Sequence, residues 1–349
     1  MKKIVTKTFN NYFMPLVFAF CFMVAASAQA SSLPVGEGSF LIDEPTGANA
    51  SPMTAYYYRP QAWEDGRPIV LVFHGLKRNA QEYCQGWAQY AEEHNLLVIC
   101  PEFSAEKYPG VRYYNFANVL DSEEPGGKIQ PQKDWVFPAI DRLVSAAKEK
   151  AEAKDSKVVL YAHSAGAQLI HRYVLLSGPS KADLIIAANS GWYTLPDKDV
   201  NFSYGLGRIP EAAYDLKTAF AKPVVILLGE EDVIRSKVLR KTPEADAQGQ
   251  NRLERGMNFF NMCEAKAAEL NTDFTWILRT VPGVGHDGTG MAQGAVPLIE
   301  ELARYFDHYY FLVTSPKKGG RNQHCALLLF DIFTIQTKRH AMFFTKRAI

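Results

Sequence analysis

From about residue 68 to residue 312, short apolar runs rich in β-branched residues alternate with longer stretches of helical hydrophobic spacing. The runs Pro68–Phe73, Leu96–Cys100, Lys157–Tyr161, Leu184–Ala188, Val224–Leu228 and Thr275–Thr280 are apolar throughout or nearly so. A strand that is apolar at consecutive positions is covered on both faces, as in a parallel sheet packed between helices. Between these runs, Ala80–Glu93, Trp135–Glu152, Ala165–Leu176, Arg252–Leu270 and Met291–Phe311 carry the helical pattern. Ahead of them, Ser39–Asp43 and Thr54–Tyr58 fit two edge strands of a mixed sheet. There is no internal repeat. The alternation predicts a doubly wound α/β fold with a mostly parallel twisted sheet of about eight strands and helices on both faces.

Two connections are longer than simple turns. Residues 102–132 are rich in Tyr, Pro and Gly, and residues 189–221 hold Trp192, Tyr193 and a Tyr-Gly-Leu-Gly stretch. Both leave the carboxyl ends of strands, where open α/β sheets bind their ligands.

The two ends of the chain break the pattern. Lys2, Lys3 and Lys7 precede an apolar run from Met14 to Ala26, and Ala28-Gln29-Ala30 fits a small-residue cleavage site. A run of this length is short of the roughly 20 residues that a membrane crossing needs, so residues 1–30 read as a signal peptide for export to the periplasm or the exterior. Residues 315–349 carry seven Lys or Arg against one Asp and read as a basic C-terminal extension without an assigned role. Residues 31–314 remain as the folded domain. The overall charge of +1 conceals the asymmetry: the domain itself has 28 basic and 36 acidic residues. No basic stripe follows from that balance, so nucleic acid is not an expected partner. Nothing in the sequence fixes the oligomeric state.

Five Cys in 349 residues do not make a disulfide scaffold, and their spacing is not that of a zinc site. Cys84 opens a helix and Cys100 ends the next strand, which leaves either a bridge or two buried thiols. No metal or nucleotide signature is present, and no cofactor is expected.

Candidate chemistry begins at Tyr161-Ala162-His163-Ser164-Ala165-Gly166, directly after one strand and opening a helix. This is the layout of a nucleophile elbow, with Ala162 at the first small position and Gly166 at the second. The sharp turn lifts the Ser oxygen above the sheet edge, and the following helix aims its N-terminal N–H groups at the same point. A Ser hydroxyl becomes nucleophilic only beside a base, and that imidazole needs a carboxylate to orient it. Val224–Leu228 runs into Gly229-Glu230-Glu231-Asp232, and the last strand is followed by Val281-Pro282-Gly283-Val284-Gly285-His286-Asp287. Ser164, Asp232 and His286 thus follow in chain order, each at the carboxyl end of its own strand. The strand ending in Phe73 leads into His74-Gly75-Leu76. This turn offers the Leu76 N–H, with the Ala165 N–H, as an oxyanion hole for the developing carbonyl charge. His74 reads as a loop-bonding residue rather than a second base.

These segments resemble the α/β-hydrolase superfamily, and within it the secreted polyhydroxybutyrate depolymerase and feruloyl esterase-like serine esterases. The resemblance spans about residues 54–312. It rests on the His74-Gly75 loop, the Ala162-to-Gly166 elbow, the Gly229-to-Asp232 turn and the Gly285-His286 loop. It implies cleavage of carboxylic esters through an acyl-enzyme without a cofactor. It also favours Asp232 over Glu230 and Glu231 as the acid, because the superfamily commonly puts its carboxylate three residues after a strand-ending Gly. Ala162 and the Cys pattern depart from the group. Asp287 reads as a loop stabiliser.

Trp192, Tyr193 and Trp135, with Tyr113 and Tyr114, are the aromatic candidates for substrate binding to a small-molecule or polymeric ester. His163 is a candidate for shaping the acyl pocket, and the segment 189–221 stands where a small lid is expected. Two other readings compete: a serine peptidase of the prolyl-oligopeptidase type, for which the chain has no room for a propeller, and a catalytically silent hydrolase-like binding protein.

Overall fold

The computed structural model describes residues 33–123 and 126–314. The signal-peptide and C-terminal-extension readings, and Cys325, lie outside the described residues. Eight strands form one sheet: β1 (Gly36–Ile42), β2 (Met53–Arg59), β3 (Ile69–Phe73), β4 (Leu97–Pro101), β5 (Val158–His163), β6 (Leu184–Ala188), β7 (Val224–Gly229) and β8 (Ile277–Val281). Their spatial order is β1-β2-β4-β3-β5-β6-β7-β8. β1 and β2 form an antiparallel edge, β2 is antiparallel to β4, and all pairs from β4 through β8 are parallel.

The helices are α1 (Ala80–His94), α2 (Gly110–Tyr113), α3 (Phe137–Lys150), α4 (Ala165–Leu176), α5 (Leu216–Phe220), α6 (Pro243–Ala247), α7 (Arg252–Glu269) and α8 (Gly288–Thr314). Side chains alternate across the pleat, so each central strand feeds two cores. Val70, Val72, Val98, Tyr161 and Leu227 meet Trp87 and Ala91 of α1 and Met291, Ala295 and Ile299 of α8. Ile69, Leu71, Phe73, Leu160 and Ile226 face the other way, into the core that holds Ile140 of α3, Leu169 of α4 and Phe259 of α7. Two-sided coverage explains why β3 to β7 read as continuous apolar runs. β8 differs: its residues stay half-buried or exposed because it closes the sheet with no strand beyond it.

Among the described residues no helix is long and apolar enough to cross a membrane. Cys84 on α1 and Cys100 on β4 lie side by side as free thiols in the first core, where burial and the neighbouring sulfur push the Cys100 thiol up.

Residues 189–221 are anchored rather than hinged. Arg172 of α4 is fully buried and donates to Thr194 Oγ1 (2.9 Å) and to the Ser203 carbonyl (3.3 Å) within that segment. It also donates to the Asn115 and Gln168 carbonyls. Desolvation lowers this guanidinium to about 9, and the ring of carbonyls takes up its donors.

Candidate active site

The carboxyl ends of β3, β5, β6 and β7, and the loop after β8, supply one cluster of polar groups. Ser164 sits between β5 and α4 with φ 57° and ψ −111°, a conformation rare for any residue with a Cβ. Its N–H is held by the Ala188 carbonyl at the end of β6 (3.0 Å). The next turn can fold back because position 166 is Gly. A Cβ there would stand 2.6 Å from the Phe73 carbonyl oxygen and 2.8 Å from that of His74. Instead the Gly166 N–H donates to the His74 carbonyl (3.1 Å), fastening the elbow to the end of β3.

Ser164 Oγ lies 3.0 Å from His286 Nε2, and His286 Nδ1 lies 2.8 Å from Asp232 Oδ2. Ser164 is partly open to solvent and the His286 side chain is 27% exposed, whereas the Asp232 side chain is only 1% exposed. A general base in reach of the hydroxyl, with a shielded carboxylate behind it, is the geometry for removing the Ser proton.

The adjacent acids are turned elsewhere. Glu230 accepts from the Thr280 hydroxyl (2.7 Å) on the surface, and Glu231 is exposed. The Asp287 carboxylate accepts from the Gly290 N–H (2.7 Å) and steadies the start of α8.

Gly229 determines how close the His loop comes. A Cβ there would lie 2.4 Å from the Val284 carbonyl oxygen and 2.9 Å from that of Gly285. Two further residues, not singled out from the sequence, complete the support. Asn189, at the end of β6 with φ 48°, donates to the Gly285 carbonyl (3.0 Å) and accepts from the Gly229 N–H (2.8 Å). Arg252, the first residue of α7, donates to the free oxygen of Asp232 at 3.2 Å. An Asn directly after a strand was the only sequence signal for the first. Arg252 gave none, because nothing local distinguishes it from a solvated helix residue.

In the turn after β3, His74 is buried and neutral, its pKa lowered to about 4 mainly by desolvation. Its Nδ1–H is directed at the Gly75 carbonyl (2.9 Å) and its Nε2 accepts from the Phe103 N–H (3.1 Å). Tyr114, fully buried, donates to the His74 carbonyl (2.7 Å) and packs on the imidazole. The Gly75 backbone lies against Ser164, since a Cβ on it would stand 3.8 Å from Ser164 Cβ. The Leu76 N–H therefore belongs to the turn beside the hydroxyl. The Ala165 N–H, in the first turn of α4, has no acceptor within the helix by geometry.

The aromatic candidates fall in different places from those expected. Tyr193 is fully buried and stacks on Phe259 (4.4 Å between ring centres), while its backbone is clasped by Gln248. Trp135 is 2% exposed, donates to the Gln130 carbonyl and packs edge-on against Phe137. Packing consumes the surface of both rings, so neither presents a wall to a substrate. Trp192 is also buried, with Arg240 over its ring at 5.0 Å. His163 is buried between Tyr83 of α1 and the His286 ring. Among the described residues no group of three or more His, Cys, Asp or Glu side chains is arranged to hold a metal ion.

The fold and this cluster define a serine hydrolase of the α/β-hydrolase class. Poly(aspartic acid) hydrolase-1 from Sphingomonas sp. KT-1 is 36% identical over 77% of this chain and all of its own, with a TM-score of 0.69. LpqC, a poly(3-hydroxybutyrate) depolymerase from Bordetella parapertussis, is 32% identical over 78% of this chain and 94% of its own, with a TM-score of 0.68. The chain belongs to the α/β-hydrolase family that includes these two enzymes. No protein-family model matches the sequence, and no curated protein matches it.

Proposed function

We propose that this protein is an exported serine esterase that cleaves carboxylic esters through an acyl-enzyme, with Ser164 as nucleophile, His286 as base and Asp232 as its orienting acid. One observation carries the reading: the unbroken contact from Ser164 Oγ through His286 to buried Asp232. Ser164 Oγ attacks the ester carbonyl while His286 Nε2 takes its proton. The tetrahedral oxyanion accepts from the Leu76 and Ala165 N–H groups. His286 then gives the proton to the leaving alcohol oxygen as the carbon–oxygen bond breaks. Water, deprotonated by the same nitrogen, attacks the acyl carbon and releases the acid and free Ser164. None of these steps calls for a cofactor.

An apolar ester, free or polymeric, is the substrate class that the surroundings support. Leu76, Val233, Ile234 and Val238 expose their side chains on the oxyanion loop and on the segment after Asp232. LpqC is a polyester depolymerase. Export rests on the reading of residues 1–30. The amide alternative has one observation in its favour: poly(aspartic acid) hydrolase-1 is named for a polyamide.

The test compares wild type with Ser164→Ala on p-nitrophenyl butyrate, poly(3-hydroxybutyrate) and poly(aspartic acid). Labelling with a fluorophosphonate probe accompanies it. The proposal expects labelling and ester turnover that vanish together in the folded variant. Full ester turnover by Ser164→Ala overturns the nucleophile, and turnover of poly(aspartic acid) alone overturns the ester.

A further inference from the structure

Outside the triad, the three loops that build the site converge on one side chain, the Tyr83 phenol. Tyr83 lies in the first turn of α1, its N–H held by the Asn79 carbonyl. Its hydroxyl is 2.8 Å from His163 Nδ1, the residue before the nucleophile. The Gly75 backbone of the oxyanion loop packs against the same oxygen. A Cβ on Gly75 would stand 2.9 Å from that oxygen, and one on Gly288, just past the His loop, 3.5 Å. His163 is 3% exposed, and its ring lies 4.8 Å from that of His286 at an interplanar angle of 34°. Its Nε2 is buried without a partner.

We propose that Tyr83 and His163 are a positioning pair that couples the oxyanion loop to the general base. This rests on the assignment of Ser164 and His286 given above. The phenol O–H donates to His163 Nδ1 and stays on the phenol, and the single N–H of the neutral ring is on Nε2. His163 is thereby held as a neutral donor–acceptor ring that cannot compete for the Ser164 proton. Burial and the neighbouring His286 and Arg252 act in the same direction, disfavouring a charge on it. Its ring packs against that of His286 and, held neutral, fixes the orientation of the base without adding a charge beside it. The same phenol oxygen packs against Gly75, and through that contact sets where the Leu76 N–H stands relative to the carbonyl oxygen. The pair thus acts on two groups that work only once the reaction has begun.

The test measures Tyr83→Phe, His163→Asn, His163→Leu and the Tyr83→Phe/His163→Asn double variant for kcat, KM and melting temperature on p-nitrophenyl butyrate. Tyr83→Phe is expected to lower kcat roughly 10- to 100-fold with KM within twofold. His163→Asn retains an acceptor for the phenol and is expected to keep more kcat than His163→Leu. The double variant should lose less than the product of the two single losses. An unchanged kcat in Tyr83→Phe overturns the proposal, as does equal activity of the Asn and Leu variants. Should Tyr83→Phe not fold, the Asn–Leu comparison decides alone. Fluorophosphonate labelling of Ser164 in the wild type separates the two levels. Labelling with an unaffected Tyr83→Phe sinks the pair, whereas an unlabelled wild type sinks the triad assignment beneath it.

Discussion

Arg252 and Asp232 form a buried ion pair, Nη1 to Oδ1 at 3.2 Å, with side chains 4% and 1% exposed. The pair uses the carboxylate oxygen that His286 leaves free, so each oxygen of Asp232 has its own partner. The main chain adds a second link, since the Leu253 N–H points at the Asp232 carbonyl. The amino end of α7 is thus fastened to Asp232. Arg252→Met keeps much of the volume and removes the charge, leaving a shielded carboxylate with one partner. Losing one member of such a pair costs about 3–5 kcal/mol. Urea unfolding should register that loss, and the penalty should shrink when Asp232 is already Asn. Equal penalties in the two backgrounds would show that the pair is not coupled.

Three consecutive acids follow β7, and the geometry distinguishes them sharply. Asp232→Asn offers His286 Nδ1 an amide where it needs an acceptor, which favours the wrong tautomer, and kcat is expected to fall by about 10⁴. Glu230→Gln only exchanges one acceptor for another opposite the Thr280 hydroxyl at the surface. Its kcat should stay within twofold. Steady-state kinetics on one chromogenic ester decides, and a large loss in Glu230→Gln would move the acid away from Asp232.

Asn189 makes two bonds that, among the described residues, no other side chain duplicates, one to the turn that carries Asp232 and one to the loop that carries His286. Asn189→Ala leaves the Gly229 N–H and the Gly285 carbonyl without that partner, and each orphaned group costs about 1–3 kcal/mol. A displaced imidazole should lower kcat well before it affects KM. Thermal unfolding and kinetics together check both effects. Unchanged stability with unchanged kcat would mean that the loops hold their places without this residue.

The strands were legible in the sequence because burial on two faces leaves an unbroken apolar run, and β3 to β7 carry that signature. β8 read the same way but lies half-buried, since a run of apolar letters cannot tell a sheet's interior from its edge. That Ser164, Asp232 and His286 come together was legible because each follows its own strand, so that a parallel sheet sets them along one edge. Long-range pairing was not. Nothing near position 252 says that its guanidinium reaches residue 232, and nothing near position 83 points to His163. Trp135 and Tyr193 failed as substrate-binding candidates for a related reason. An aromatic residue just past a strand is equally suited to a pocket wall or to the core, and only the packing of Phe137 and Phe259 against them decides.

Three buried histidines make the fold sensitive to acid. His74, His163 and His171 are all held neutral: desolvation lowers His74 to about 4 and drives the other two well below 6.5. In the unfolded chain each titrates near 6.5. Below that value the unfolded state binds protons that the folded state refuses, so this part of the stability is complete above about pH 6.5. It is lost as pH falls, until the folded histidines themselves take up protons. For His74 the window closes near 4 and the total amounts to about 3 kcal/mol. Each of the three contributes a slope of up to about 1.4 kcal/mol per pH unit. Urea unfolding between pH 7 and pH 5, above the range where ordinary carboxylates titrate, should show stability falling with pH. His171→Gln, which retains an amide toward the Ala167 carbonyl and the Thr194 N–H that His171 now joins, should reduce that slope by about one third. A stability that stays level from pH 7 to pH 5 would mean that these rings are protonated, or reached by water, in the folded protein.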